Sequence, residues 1–247
     1  MKTLRHALPA ACLIALSACG GDAGDPPTDL EVATTDGEAV ALAQSIEAGS
    51  FADLKLGAKV AGPQGEELKS RLTNEAGAFA DVTSYVACPA GMDPCDPANA
   101  PQGTVFTYVH IVYPGEDNAP DSGSGTGADA SDVEQANRFM IVRSAYGFTG
   151  SAGYSKLETM AAIGPKAEVV ITCVDGGIAW TVNAGEGGNQ WEQSEPLTFW
   201  WQSTLPPAGP ARAYAIEANY VTATGDGPYP AERAGATNAC AAPSTTP

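Results

Sequence analysis

Thr104-Val105-Phe106-Thr107-Tyr108-Val109-His110-Ile111-Val112-Tyr113 is the stretch that decides how this chain folds. β-Branched and aromatic side chains fill almost every position, the composition of a strand and not of a helix. On either side the theme repeats. Leu54, Leu56, Ala58 and Val60 alternate with polar or small residues, as a half-buried strand does. Residues 79–86, 139–143, 167–174, 178–183, 197–202 and 211–222 read as further strands, with turn signals at Asn74-Glu75-Ala76-Gly77 and Asp175-Gly176-Gly177. Helical signals are few. Ser155-x-x-Glu158 forms a capping box, Leu157, Met160 and Ala161 an apolar stripe, and Gly164-Pro165 a stop. Thr35-x-x-Glu38 opens a second helix towards Ala48, preferred over a hairpin at Asp36-Gly37 because Val40, Ala43 and Glu47 show no period-two alternation. The expected fold is mainly β: an antiparallel β-sandwich, immunoglobulin-like in architecture, with one or two short helices. The Cys-Trp-Cys spacing of true immunoglobulin domains is not matched, so that likeness is one of architecture alone.

The 247 residues carry a formal charge of −17 and include six cysteines and two histidines. Leu16-Ser17-Ala18-Cys19 follows a basic start (Lys2, Arg5) and an apolar run from Ala7 that is too short to span a bilayer. This arrangement resembles the lipobox of bacterial lipoproteins. The resemblance implies a signal peptide over residues 1–18, cleavage before Cys19, acylation of its thiol and new amino group, and a lipid-anchored envelope protein. Gly20 in place of an aspartate favours the outer membrane within that class. Loss of residues 1–18 removes Lys2 and Arg5 but no acid, so the formal charge falls to −19. Such a chain repels nucleic acid and anionic headgroups, which leaves the lipid as the membrane contact. Residues 19–49 read as the lipidated cysteine, a Gly/Asp/Pro tether and an N-terminal segment, 50–240 as one β-sandwich domain, and 241–247 as a disordered tail. A boundary near Gln102 is the alternative, but residues 51–86 offer only about three strands, marginal for a separate core.

Cys12 leaves with the signal and Cys19 carries lipid, so Cys88, Cys95, Cys173 and Cys240 remain. Four cysteines allow three pairings. The expected one is Cys88–Cys95 across a Pro/Gly loop, with Cys173–Cys240 stapling the C-terminal segment to a strand. Catalytic signals are poor. His110 is the one histidine beyond the signal, in the middle of the strongest strand, and no Gly-x-Ser-x-Gly, His-Glu-x-x-His or Ser-x-x-Lys motif occurs. The chemistry that remains is threefold. Trp191 and Trp200, beside amide and carboxylate groups, suit a sugar-stacking surface and hence a polysaccharide-binding module. Glu186, Glu192 and Glu195 near Trp191 are candidates for the paired carboxylates of a glycoside hydrolase. Asp117, Asp121, Asp129 and Asp132, in an acidic glycine-rich stretch, are candidate Ca2+ ligands. The leading expectation is a non-catalytic envelope protein, structural or ligand-binding, whose partners are the membrane through its anchor and a polysaccharide or another envelope protein, with no nucleic acid.

Overall fold

In the structure, a computed structural model that describes residues 44–61, 66–115 and 132–241, the chain runs through thirteen strands and one α-helix. In order these are β1 (Ser45–Ile46), β2 (Ala48–Ser50), β3 (Leu56–Lys59), β4 (Leu68–Asn74), β5 (Gly77–Pro89), β6 (Phe106–Pro114), β7 (Ala136–Ile141), β8 (Phe148–Tyr154), α1 (Lys156–Ala162), β9 (Glu168–Val174), β10 (Gly177–Asn183), β11 (Leu197–Ser203), β12 (Pro207–Ala218) and β13 (Val221–Pro230). A single 3-10 turn spans Phe51–Asp53. The mainly β expectation holds. All strands belong to one sheet, ordered β1-β9-β10-β7-β12-β13-β4-β5-β6-β11-β8-β2, with β3 attached to β5. Twelve strands on one path, with β3 as a thirteenth beside it, exceed the seven to nine of immunoglobulin sandwiches.

The two ends of that path are consecutive in sequence. Ser45 and Ile46 pair with Thr172 and Ile171 of β9, and Ala48, Gly49 and Ser50 pair in parallel with β8. One six-residue segment therefore bridges both ends, and the sheet curls back on itself like a flattened barrel. The helix expected from Thr35 towards Ala48 is corrected at its end, because residues 45–46 and 48–50 are extended, while residues 35–43 lie outside the described residues. The small Ala48 and Gly49 let this segment lie close to β8, a role a helix could not fill. The sheet accordingly includes residues before position 50. No domain boundary falls near Gln102, since β5 and β6 on either side of it pair from Ala80 to Ala87.

The curled sheet presents two walls to each other. From β6 and β11 come Tyr108, His110, Phe199 and Trp201; from β10, β7 and β12 come Trp180, Phe139 and Tyr214. Their rings meet across the core, Phe139–Phe199 at 5.3 Å and His110–Tyr214 at 4.4 Å between centroids. Leu197, Phe199 and Trp201 of β11 and Ile178 and Trp180 of β10 are all buried.

Helix α1 departs from expectation in an instructive way. Ser155 Oγ accepts from Glu158 N at 3.3 Å, the first half of a capping box. The second half is diverted: Ser155 N donates to Thr198 O, and the Glu158 carboxylate accepts from Thr198 N at 2.7 Å and Thr198 Oγ1 at 3.1 Å. Where β8 ends, the helix start takes over its pairing with β11. That docking buries Thr159 and Ile163 and leaves the predicted stripe outside, with Leu157 78% and Met160 50% exposed.

Both expected disulfides are formed, Cys88–Cys95 closing a short loop after β5 and Cys173–Cys240 tying β9 to the C-terminal segment. Loop entropy ranks them. The Cys173–Cys240 bridge, with its 67-residue separation, is expected to contribute about 4 kcal/mol and the seven-residue Cys88–Cys95 bridge about 2.5 kcal/mol. Urea unfolding of the Cys173→Ser/Cys240→Ser and Cys88→Ser/Cys95→Ser pairs checks that order, and a larger loss from the short loop would contradict it.

Candidate functional site

His110 is fully buried, and its two ring nitrogens are accounted for. Trp201 Nε1 donates to His110 Nε2 at 3.3 Å, so that nitrogen is the acceptor. Nδ1 then carries the proton and donates to Ser84 Oγ at 2.9 Å. Burial without a counter-charge pushes the imidazole down to about 3, so it is neutral throughout the physiological range. A neutral histidine sealed among Phe139, Tyr214 and Trp201 is a structural group.

The two tryptophans expected to be exposed are not. Trp191 is a core residue: its ring packs edge-on against Phe199 at 5.7 Å and its Nε1 donates to Glu195 O at 2.7 Å. Trp200 does lie on the outer face between Thr198 and Gln202, but it is only 5% exposed. Its ring covers two glycines, Gly49 and Gly153, where an added Cβ would come within 2.5 and 2.6 Å of Cζ2. Strand β2 is what hides it, and the expectation of a sugar-stacking Trp191 and Trp200 is corrected on this ground. The edge of Trp200 still lines a groove of about 320 Å3 with Glu47, Gly49 and Ser151. Its Nε1 finds no hydrogen-bond partner among the described residues.

Trp191 instead anchors the floor beneath a different feature. Ala136 N donates to Trp191 O at 2.6 Å and Gln193 N to Val133 O at 3.0 Å, zipping the loop before β11 to the start of β7. The β12–β13 hairpin closes the third side. Ala218 pairs with Val221, so Asn219 and Tyr220 form a two-residue turn, with φ of 47° and 63°. Two positive φ values mark the mirror-image turn that suits the twist of a hairpin. Asn219 is well fitted to it. Its Oδ1 accepts from Glu134 N (3.0 Å) and Gln135 N (3.2 Å), its Nδ2 donates to Asp132 O (2.7 Å), and its own N donates to Gln135 O (2.8 Å).

Between these three segments lies an open cleft of about 530 Å3, lined by Asp132, Glu134, Gln135, Gln190, Asn219 and Tyr220. That volume is within the range of roughly 300–1,000 Å3 found for ligand clefts. Tyr220 is 86% exposed at its rim. The side chains of Asp132, Glu134, Gln135 and Gln190 make no hydrogen bond to another described residue, while Asn219 uses its amide to hold the backbone beneath them. The cleft thus offers one aromatic face, two carboxylates and two amides. Reading the sequence missed it because residues 211–222 look like one continuous strand; Asn219 before a bulky residue was its only turn signal.

Of the remaining candidates, Glu192 and Glu195 are neighbours and Glu186 stands apart from them with its own partner. Glu186 pairs with Lys166 at 3.1 Å on the surface, Glu192 accepts from Asn189 Nδ2 at 2.6 Å, and Glu195 accepts from Glu192 N at 3.1 Å. Desolvation raises the Glu195 carboxyl, partly offset by the hydrogen bond from Glu192 N, while the charge of Glu192 adds a smaller rise. None of the three glutamates lines the polar cleft. Of the proposed Ca2+ ligands, Asp117, Asp121 and Asp129 lie outside the described residues, as does Cys19, and Asp132 lies in the cleft. Among the described residues no group of three or more His, Cys, Asp or Glu side chains is placed to hold a metal ion, and no helix is long and apolar enough to cross a membrane.

The neutral His110 has a measurable consequence. The unfolded chain takes up a proton near pH 6.5 that the folded state refuses until about 3, so the contribution is complete above 6.5 and lost as pH falls. Stability is expected to drop by about 2 kcal/mol between pH 7.5 and 5 from this group alone. His110→Gln should be less stable at pH 7.5 yet lack that slope in urea titrations. Equal slopes in the two proteins would show that His110 is not held neutral.

Comparison of the chain with protein-family models, with curated proteins and with solved structures finds no match.

Proposed function

We propose that this chain is a lipid-anchored protein of the bacterial envelope, acylated at Cys19, whose disulfide-stapled β domain binds a ligand and carries out no chemistry on it. The observation that carries the reading is the division of polar groups in the fold. His110 is consumed by core hydrogen bonds, and Glu158, Glu192 and Glu195 take part in local hydrogen bonds of the scaffold. Among the described residues, the Asn219–Tyr220 cleft gathers carboxylates, amides and an exposed aromatic ring and presents them outward.

The compartment is supported separately. Two disulfides belong to an oxidising environment, and the Leu16-Ser17-Ala18-Cys19 order resembles that of bacterial lipoproteins. Several acyl chains on one cysteine would make attachment close to permanent. The acidic surface would then be kept off anionic headgroups by charge and held near the membrane by lipid alone.

Expression in a Gram-negative host with labelled palmitate tests the anchor. Label should enter the protein and fractionate with the outer membrane, and Cys19→Ala should lose both label and membrane association. Unlabelled wild-type protein free in the periplasm would refute the anchor, and release of reducing ends from any polysaccharide incubated with the pure protein would refute a non-catalytic role.

A further inference from the structure

We infer that the Asn219–Tyr220 cleft is a binding site for a neutral, hydroxyl-rich glycan chain, stacked on Tyr220 and hydrogen-bonded by Asp132, Glu134, Gln135 and Gln190. The inference rests on the ligand-binding reading above and is independent of the lipid anchor.

Position 220 carries the first part of the argument. A residue at φ 63° in a two-residue hairpin turn is ordinarily glycine, because a side chain there is strained. Tyr220 accepts the strain and receives almost no packing in return, being 86% exposed. A large aromatic held open on a rigid turn is an anchor of low conformational entropy, the kind that binding surfaces use. The turn itself is fixed by the four hydrogen bonds of Asn219 to residues 132–135, so the backbone that carries Tyr220 keeps its position relative to the polar residues of the cleft.

Ligand class follows from the mixture of groups. Each sugar hydroxyl both donates and accepts, and so matches carboxylate acceptors and amide donor–acceptors together. The faces of a pyranose ring present C–H groups to an aromatic plane. Uronates, sulfates and phosphates would bring negative charge to Asp132 and Glu134 in a chain that is already −17, so anionic chains are disfavoured. A purely apolar ligand would bury two carboxylates and two amides without partners. A cationic peptide would pair with the carboxylates, and oligolysine is therefore the probe that separates this occupant from a glycan.

The test is calorimetric titration of the full-length protein in detergent with three probes: neutral oligosaccharides (β-glucan, mannan and N-acetylated chito-oligomers), oligogalacturonate, and oligolysine. At least one neutral oligosaccharide should bind, and oligogalacturonate should not. Tyr220→Gly should reduce that affinity at least tenfold while leaving the melting temperature unchanged or higher, because glycine relieves the backbone. Equal affinity in the variant, or no neutral saccharide bound at millimolar concentration, overturns the inference. Oligolysine binding that disappears with Asp132→Asn/Glu134→Gln would overturn the glycan class while the ligand-binding reading survives. Silence from all three probes would remove both.

Discussion

Phe139 is the contact on which this fold depends. Its ring stacks on Phe199 and Tyr214 and lies against His110 and Trp180, so a single side chain touches both walls of the curled sheet. Large rings fill much of the interior of the sheet closed by residues 45–50. Most of those rings carry a polar tip, and a buried tip without a partner is expensive. Hence the pattern around the core: Tyr108 and Tyr214 donate to Leu205 O and Pro228 O, Trp180 and Trp191 to Gly153 O and Glu195 O, and Trp201 to His110. The histidine is the acceptor that lets an indole be buried at that position.

Those same demands explain why the centre of the fold offers no reactive group. Each buried polar atom there is fixed by packing and by a hydrogen bond, which suits a scaffold and not a site that must exchange protons. The outward-facing polar groups of the cleft lie at the ends of the strands, where loops meet. Trp191 links the two regions. Its ring is locked into the core, its backbone joins the start of β7, and the preceding Gln190 is thereby presented at the cleft.

How much of this was legible from sequence depends on the residue. β6 was plain because it is covered on both faces and so reads as a continuous β-forming run. The hairpin at Asp175-Gly176 was plain because turn chemistry is local, and the disulfides because the short Pro/Gly loop from Cys88 to Cys95 leaves Cys173 and Cys240 to pair with each other. β8 was missed, since Phe148-Thr-Gly-Ser-Ala-Gly-Tyr154 is weak in strand propensity. Its glycine at 153 is required from outside the strand: a Cβ there would meet Gly49 O at 2.1 Å and the Trp200 ring. β2, β8 and the burial of Trp200 form one tertiary arrangement, and no part of it can be read without the others. The stripe on α1 failed for a related reason. Two turns of helix are oriented by the Glu158–Thr198 hydrogen bonds, which outweigh the burial of Leu157 and Met160.

The two mirror-image turns of the molecule allow a comparison made within one chain. Asp175-Gly176, between β9 and β10, uses glycine at the second position, where φ is 77°. Asn219-Tyr220 has the same loop length and the same sign of φ at both positions, yet places a tyrosine where the other has glycine. The difference in backbone strain, on the order of 1 kcal/mol for a non-glycine residue, must be held by something. At Asn219 it is held by four hydrogen bonds to residues 132–135, which over-determine the turn whatever follows it. A hairpin so constrained could carry glycine at no structural loss, and the phenol ring contributes little burial to the fold. Its position is understandable when the ring works outward: the scaffold supplies rigidity, the strained turn supplies orientation, and the polar cleft supplies the hydrogen bonds that a stacked ligand would need.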